Sequence, residues 1–356
     1  MPDAVVVSGC RTAVGTTGGF FADASVCRLG AVVIREAVRR AGLDGGDVDA
    51  VVMGMAAQAG AGPNPARLAA ARAGIPLGVP ATTLNTLGLS GLQAISLAAV
   101  LVSTGQCGVV VAGGMESSSA APRLLPRSRG GGPIAVAAVT EPWGLSPSPV
   151  PRGERKNLGE ESRRRALAAH AAGRLGAEIV SMPVAPAGGR GAGVIRNRDE
   201  ALSGRVALPR GWPSPADGAA AVVVMSRAHA RSLGPPPLAS IGAYGTSAGG
   251  ARSAPEAVAV RDALRRDSVL DVPDLVLLEI HEESAGAAAE AARALGVPLE
   301  RVNVNGGALA FGHPIGMSGA RMVLTLAYEL RRRGGGAGAV AVRAEDGQCE
   351  GLLISV

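Results

Sequence analysis

Short apolar runs alternate along the chain with stretches in which apolar residues recur every three or four positions. The runs fit buried strands and the recurring stretches fit helices. Val5–Ser8 reads as a strand, Arg28–Ala41 as a helix stopped at Gly42, and Val48–Gly54 as a strand. Asn64–Gly74 is helical, Leu84 closes a strand, and Gly88–Ser103 is a long alanine-rich helix. Gly108–Gly114 follows as a valine-rich buried strand. The C-terminal part repeats the plan. Leu238–Tyr244 is a strand, Pro255–Arg265 a helix, Leu275–Ile280 a strand and Glu283–Leu295 a helix. Arg301–Val304 is a strand, Ser318–Arg333 a helix and Ala337–Val342 a strand. This alternation predicts an α/β fold with mixed or parallel sheets.

The two long helices open alike, on Ser90-Gly91 and on Ser318-Gly319. Each follows an Asn-containing strand end and leads into a Val-rich strand, which predicts an internal duplication. Two such halves facing one another bring both helix N-termini to a shared centre. Between them, from about Ser117 to Pro209, Pro, Gly, Ser and Arg dominate, as in Ser146–Arg152, with one helical piece at Glu160–Leu175. Gly218–Ser226 is a strand returning to the first half. The expected division is residues 1–116 with 209–229, a loop-rich insertion at 117–208, and a second half at 230–356. A long insertion beside a site commonly covers the substrate.

A chain of 356 residues with 47% hydrophobic residues can bury two cores, and with 2% aromatics it must fill them with Val, Leu, Ile and Ala. The net charge of +6 is carried almost wholly by arginine, Lys156 being the single lysine. Scattered arginines and few aromatics argue against nucleic acid; a phosphorylated small molecule or an acidic carrier protein fits better. Cys10, Cys27, Cys107 and Cys349 have the spacing of neither a metal site nor a disulfide framework. The chain starts on a strand, and no apolar run reaches ~18 residues, so a membrane span is not expected and a reducing cytoplasm is the default.

Leu84–Ala94 reads as strand, tight turn and helix start, with Gly88 at the mouth of the helix. A helix start offers unpaired N–H groups and the positive end of a dipole, the setting in which a thiolate forms most readily. Downstream, Asn303–Arg321 places His313 in a glycine-rich turn before another helix. Together with Ser8–Gly15, Gln58–Arg67 and Val111–Ser117, these segments resemble the thiolases over most of the chain. The resemblance implies a duplicated five-layered αβαβα fold with mixed sheets and a homodimer or dimer of dimers. It implies a coenzyme A thioester as substrate and no permanently bound cofactor.

In that family one cysteine carries the acyl group, a second shuttles a proton and a histidine activates. An Asn or His of a further motif helps to hold an enolate oxygen through water. Carried over residue by residue, Gly88 stands where the first cysteine belongs and His313 where the activating histidine belongs. His281, in Glu279–Ala285, matches the Asn/His motif, with Glu283 and Ser284 departing from it. The second cysteine falls on Arg343 when the count runs from Ala339–Val342, and on Cys349 when the gap is shifted; the strand favours Arg343. Asn85, Gly307, Gly312 and Ser214 are the candidate substrate-binding positions. Prolines in Leu208–Asp217 replace small polar residues expected near the pantetheine, and Asn157-Leu158-Gly159 replaces a His-Met-Gly pattern.

Each candidate has competing roles. Ser90 either substitutes as nucleophile or, the favoured role, caps the helix. Cys349 is a proton shuttle or a buried structural thiol, and the other three cysteines are structural. Arg343 grips a carboxylate or pairs with Glu345 or Asp346. His281 and His313 are a donor pair for an enolate oxygen or relics held by local hydrogen bonds. The first functional reading is an enzyme acting on acyl thioesters of coenzyme A or a carrier protein. It makes or breaks C–C bonds, or decarboxylates, without a covalent cysteine intermediate. The second is a catalytically silent acyl-binding scaffold. The third is acyl transfer to a heteroatom nucleophile with His313 as general base.

Overall fold

Nine strands position the site: β1 (Ala4–Arg11), β2 (Ala50–Gly54), β3 (Ala81–Leu84), β4 (Val109–Ser117), β5 (Ala216–Ser226), β6 (Ala239–Ala248), β7 (Leu275–Ile280), β8 (Ala337–Arg343) and β9 (Gln348–Ser355). The main helices are α1 (Val26–Arg40), α2 (Pro65–Ala73), α3 (Ser90–Ser103), α4 (Arg152–Ala171), α5 (Pro255–Asp267), α6 (Ala287–Leu295) and α7 (Ser318–Arg332). The computed structural model describes residues 4–124, 137–138, 152–184, 193–203, 211–234, 237–249 and 254–356.

The strand order is β7-β8-β9-β6-β1-β5-β4-β2-β3, which is one plan written twice. In the first half β3, β2 and β4 are parallel, and β5 and then β1 join antiparallel. In the second half β7 and β8 are parallel, and β9 and then β6 join antiparallel. Even the short β3 has a counterpart, a single parallel bridge from Leu278 to Val302. The halves meet edge to edge through Val5↔Ser240 and Val6↔Ala239.

The result is the five-layered αβαβα fold. The central layer holds α3 and α7, packed on each other; α1 and α2 cover one sheet, and α5 and α6 the other. Close approach in the centre depends on glycine. A Cβ on Gly91 would lie 2.5 Å from the Gly316 carbonyl oxygen, and one on Gly319 would lie 2.7 Å from the Leu92 Cβ. The cores are built from Val, Leu, Ile, Ala and Met.

Local signals account for the helix ends. Asn64 accepts a hydrogen bond from the Arg67 N–H at 3.1 Å, Pro65 opens α2, and Gly74 closes it with φ 95°. Among the differences from the sequence expectation are three elements. α4 begins at Arg152, not Glu160, and ends at Ala171. α6 begins at Ala287, not Glu283, because the Glu282 and Glu283 carboxyls are drawn to Leu309 N–H and to Arg343. Arg301–Val304 is no strand beyond the Val302 bridge, since Asn303 turns left-handed at φ 47°. β9 escaped the pattern because Glu350 interrupts it, buried against Ser96 of α3 at 2.5 Å.

The insertion is tied to the first half by buried charge. Arg11 is fully buried and pairs with Glu178 at 2.7 Å and with both oxygens of Asp199 at 2.7 and 3.0 Å. The expected Ser146–Pro151 run and Leu208–Arg210 lie outside the described residues.

Candidate active site

Both central helices begin beside the same spot. In the first half, β3 ends at Leu84 and the turn 85–89 leads into α3. Leu87 stands left-handed at φ 52°, which costs a residue with a Cβ about 1 kcal/mol or more. Side-chain hydrogen bonds hold the turn. Asn85 Oδ1 accepts from Leu87 N–H at 3.1 Å, and its Nδ2 donates to the Ala56 carbonyl at 3.0 Å. Ser90 Oγ accepts from Thr86 N–H at 2.9 Å and donates to the Leu87 carbonyl at 2.6 Å. The expected Ser90 cap is therefore not formed. Leu89 holds the cap position, and the buried hydroxyl spends both its donor and its acceptor capacity on the turn. That also removes Ser90 as a free nucleophile.

In the second half, Gly312 turns the chain at φ 98°, and His313 N–H donates to the Ser214 carbonyl at 2.8 Å. Gly316 N–H donates at 2.9 Å to the buried Glu116 carboxyl, which also takes Ala56 and Ala57 N–H. The Arg11 and Arg321 guanidiniums lie 5.8 and 5.4 Å from the centroid of the Phe311 ring. These contacts fix the turn that carries the histidine.

His281 follows the end of β7. The Asn303 side chain holds both Ile280 N–H and C=O at 2.8 Å, and His281 N–H donates to the Ala341 carbonyl at 2.8 Å. The two imidazoles meet with His281 Nε2 3.3 Å from His313 Nδ1, ring centroids 4.4 Å apart and planes at 47°. His313 Nδ1 is also 2.7 Å from Ser318 Oγ, whose proton goes to the Pro314 carbonyl at 3.1 Å. Burial, and then the neighbouring His313, push His281 well below the ordinary imidazole range and keep it neutral.

A residue the sequence did not suggest completes the site. Glu345 Oε1 lies 3.3 Å from His313 Nε2, and Oε2 accepts from Gly88 N–H at 3.1 Å. Burial would raise this carboxyl. The hydrogen bond and charge of His313, with the main-chain N–H groups of Glu345 and Gly88, outweigh burial and bring it to about 2. One signal existed: an acidic residue within the loop after β8, where the resemblance calls for glycine.

Arg343 closes β8, as counted from the strand. It does not pair with Glu345 or Asp346. Its Nε lies 3.5 Å from Glu283 Oε2, with both side chains buried. Cys349 faces Arg343 across the β8–β9 ladder, so the two alternatives for one position are neighbours. Burial, and then Glu256, push its thiol up, away from thiolate. Among the described residues neither side chain hydrogen-bonds to His281 or His313. The candidate substrate contacts have structural partners in this state. Gly307 N–H donates to Ser162 Oγ at 3.0 Å, and a Cβ there would lie 2.5 Å from the Glu282 carboxyl. Gly312 and Ser214 set the His313 turn, and Asn85 sets the turn before α3. Lys156 is exposed on α4, 3.7 Å from Glu160.

The arrangement brings one buried backbone N–H and His313 Nε2 to a single carboxylate, with the second imidazole against His313 Nδ1. Comparison with known proteins agrees with this architecture. The thiolase N-terminal domain matches residues 4–143, and the thiolase C-terminal domain matches residues 236–356. A Mycolicibacterium smegmatis protein described as a probable acetyl-CoA acetyltransferase is 38% identical over 98% of this chain and 100% of its own length. The acetyl-CoA acetyltransferase of Cupriavidus necator is 40% identical over 94% of each chain. The crystal structure of the Bacillus anthracis acetyl-CoA acetyltransferase superposes with a TM-score of 0.91 at 29% identity, covering 100% of this chain and 99% of that one.

Proposed function

The chain belongs to the thiolase family, and on that premise we propose that it acts on acyl thioesters, of coenzyme A or of a carrier protein, without a covalent cysteine intermediate. The relatives described as acetyl-CoA acetyltransferases support the substrate class. Gly88 is read as the vacated nucleophile position and Arg343 as the position of the second cysteine. His313 and His281 are the catalytic pair, and the chemistry is formation or cleavage of a C–C bond, or decarboxylation, through an enolate.

The observation that carries this reading is the meeting of His313 Nε2 and Gly88 N–H at one buried spot, with His281 Nε2 held against His313 Nδ1. Donors preorganised in a dry site act only weakly on a neutral carbonyl and strongly on an enolate oxygen, and they need no reorganisation as charge develops. His281, held neutral, does not repel His313 when that ring carries charge. A uniform loss of turnover in His313→Ala, about 10²-fold or more, measured as product from acyl and malonyl thioesters, supports the enzyme. Unchanged background turnover with measurable thioester binding refutes it and favours the silent scaffold. That second reading has one specific support: the Glu345 carboxylate already engages Gly88 N–H and His313. Acyl transfer to a heteroatom nucleophile, with His313 as base, remains the third reading.

The same reading carries the remaining assignments. We propose a cytoplasmic enzyme working as a homodimer or dimer of dimers. Its halves are residues 1–116 with 209–229 and residues 230–356, and the insertion at 117–208 serves as a substrate cover. Among the described residues no helix is long and apolar enough to cross a membrane.

A further inference from the structure

The Glu345 carboxylate engages the donors of both helix mouths. Oε2 takes Gly88 N–H at 3.1 Å, Oε1 faces His313 Nε2 at 3.3 Å, and the main-chain N–H of Glu345 also acts on the carboxyl. The side chain is 12% exposed, so water competes little for these donors. A charged acceptor with two backbone donors forms stronger hydrogen bonds than a neutral thioester carbonyl at the same place. Position 88 leaves room for this carboxylate because nothing extends from it beyond the backbone. A Cβ on Gly88 would sit 3.5 Å from Glu345 Oε2 and 3.3 Å from the Arg343 carbonyl oxygen, so a methyl group fits. Any heavier atom reaching from there toward His313 meets the carboxylate.

We propose that Glu345 is a tethered competitor: its carboxylate holds the donors that an incoming thioester carbonyl or oxyanion needs, and the acyl group is admitted only when this side chain swings out. The proposal rests on the assignment of acyl thioesters to this site. Glu345 is poorly suited to act as a base here. A carboxylate held well below its usual range by His313 and the backbone N–H groups is a poor base for an acyl α-carbon at neutral pH. Its surroundings favour a counter-ion and plug. The turn that carries it permits the movement: Ala344–Gln348 is a surface hairpin closed by Ala344 N–H to the Gln348 carbonyl and Gly347 N–H to the Ala344 carbonyl, with Gly347 at φ 86°.

The test separates occupancy from turnover. A thiol is introduced with Gly88→Cys, alone and together with Glu345→Gly, and each full-length variant is mixed with acetyl-coenzyme A. Attack of the introduced thiolate on the thioester carbonyl moves the acetyl group to the new sulfur and releases coenzyme A as its thiol. Intact mass reads the adduct. The proposal expects acetylation at least about tenfold faster in the double variant, one factor of ten being about 1.4 kcal/mol. Equal rates in the two variants overturn it. Glu345→Ala in the otherwise native chain is a second check that needs no chemistry, with acetate as probe. Tighter acetate binding than in wild type supports the proposal, and unchanged binding by a variant with wild-type thermal unfolding overturns it. Failure of the non-covalent mechanism shows separately, as a lack of wild-type turnover that leaves both comparisons readable.

Discussion

The two halves share one topology, yet they treat their central helix starts differently. At the start of α7, Gly312 and Pro314 frame a side chain that can do chemistry, and Ser318 Oγ is turned to that side chain at 2.7 Å. At the start of α3 the equivalent serine, Ser90, ties the strained Leu87 turn instead. The residue presented to the centre, Gly88, offers only its backbone N–H. Duplication thus supplies two similar helix mouths; one presents an imidazole, and the other presents a donor that is filled from across the interface by Glu345. The two helix starts differ in what they present, an imidazole in one half and a backbone N–H in the other, while the close packing of both central helices is kept.

Packing of the central layer is the place where breaking either half should cost most. Gly319→Ala and Gly91→Ala each force a Cβ to within 3 Å of a neighbouring atom, the Gly91 Cβ against a backbone carbonyl. Each should destabilise by about 1–3 kcal/mol or more in chemical denaturation, despite alanine's better helix propensity. If the two halves are equivalent in packing, the costs match; a negligible cost at one would show that its helix shifts freely.

A carboxyl joining the halves gives the next effect. Glu350 of β9 is pushed up to about 7 by burial against α3, from an ordinary 4.5, although Ser96 and Gln93 hydrogen bonds oppose the rise. Between those values the folded chain keeps a proton that the unfolded chain has released, so stability falls as pH rises through this window and levels off above it. Glu350→Gln has no proton to lose and should flatten part of that fall, by at most about 3 kcal/mol. Glu256, raised to about 7, and Glu279, raised to about 8, keep the rest of the slope. Thermal unfolding from pH 4.5 to 8 checks this, and an unchanged slope in the variant would place the titration elsewhere.

The smallest effect sharpens the contrast between the serines. Ser90→Ala should cost about 1 kcal/mol of stability, because Thr86 N–H loses its partner. Ser318→Ala should instead lower turnover more than stability, because it removes the acceptor that orients His313. The reverse pattern would show that the two helix mouths are not divided in this way.

Much of the fold was legible in the chain. Val-rich runs marked the strands, and Leu275–Ile280 coincides with β7 residue for residue. Asn64, Pro65 and Gly74 marked α2 because caps act locally. What escaped was set by distant contacts. Glu350 hides β9 because its partner Ser96 lies in the other half. Asn303 ends a strand by folding onto Ile280. In the site, His281 and His313 were legible as residues. Their contact was not, since 32 positions separate them. Glu345 looked like a loop acid, and only the closing of the β8–β9 hairpin over the α3 turn gives it a role.

The central claim is chemistry at this site without an acyl-enzyme. Intact-mass measurement of the wild-type protein, quenched during incubation with acetyl- and malonyl-coenzyme A while product is followed in parallel, tests it most directly. The account predicts accumulating product and an unmodified protein mass at every time point. An acyl adduct that forms and decays at the rate of turnover, on any of the four cysteines or on a serine, would contradict it.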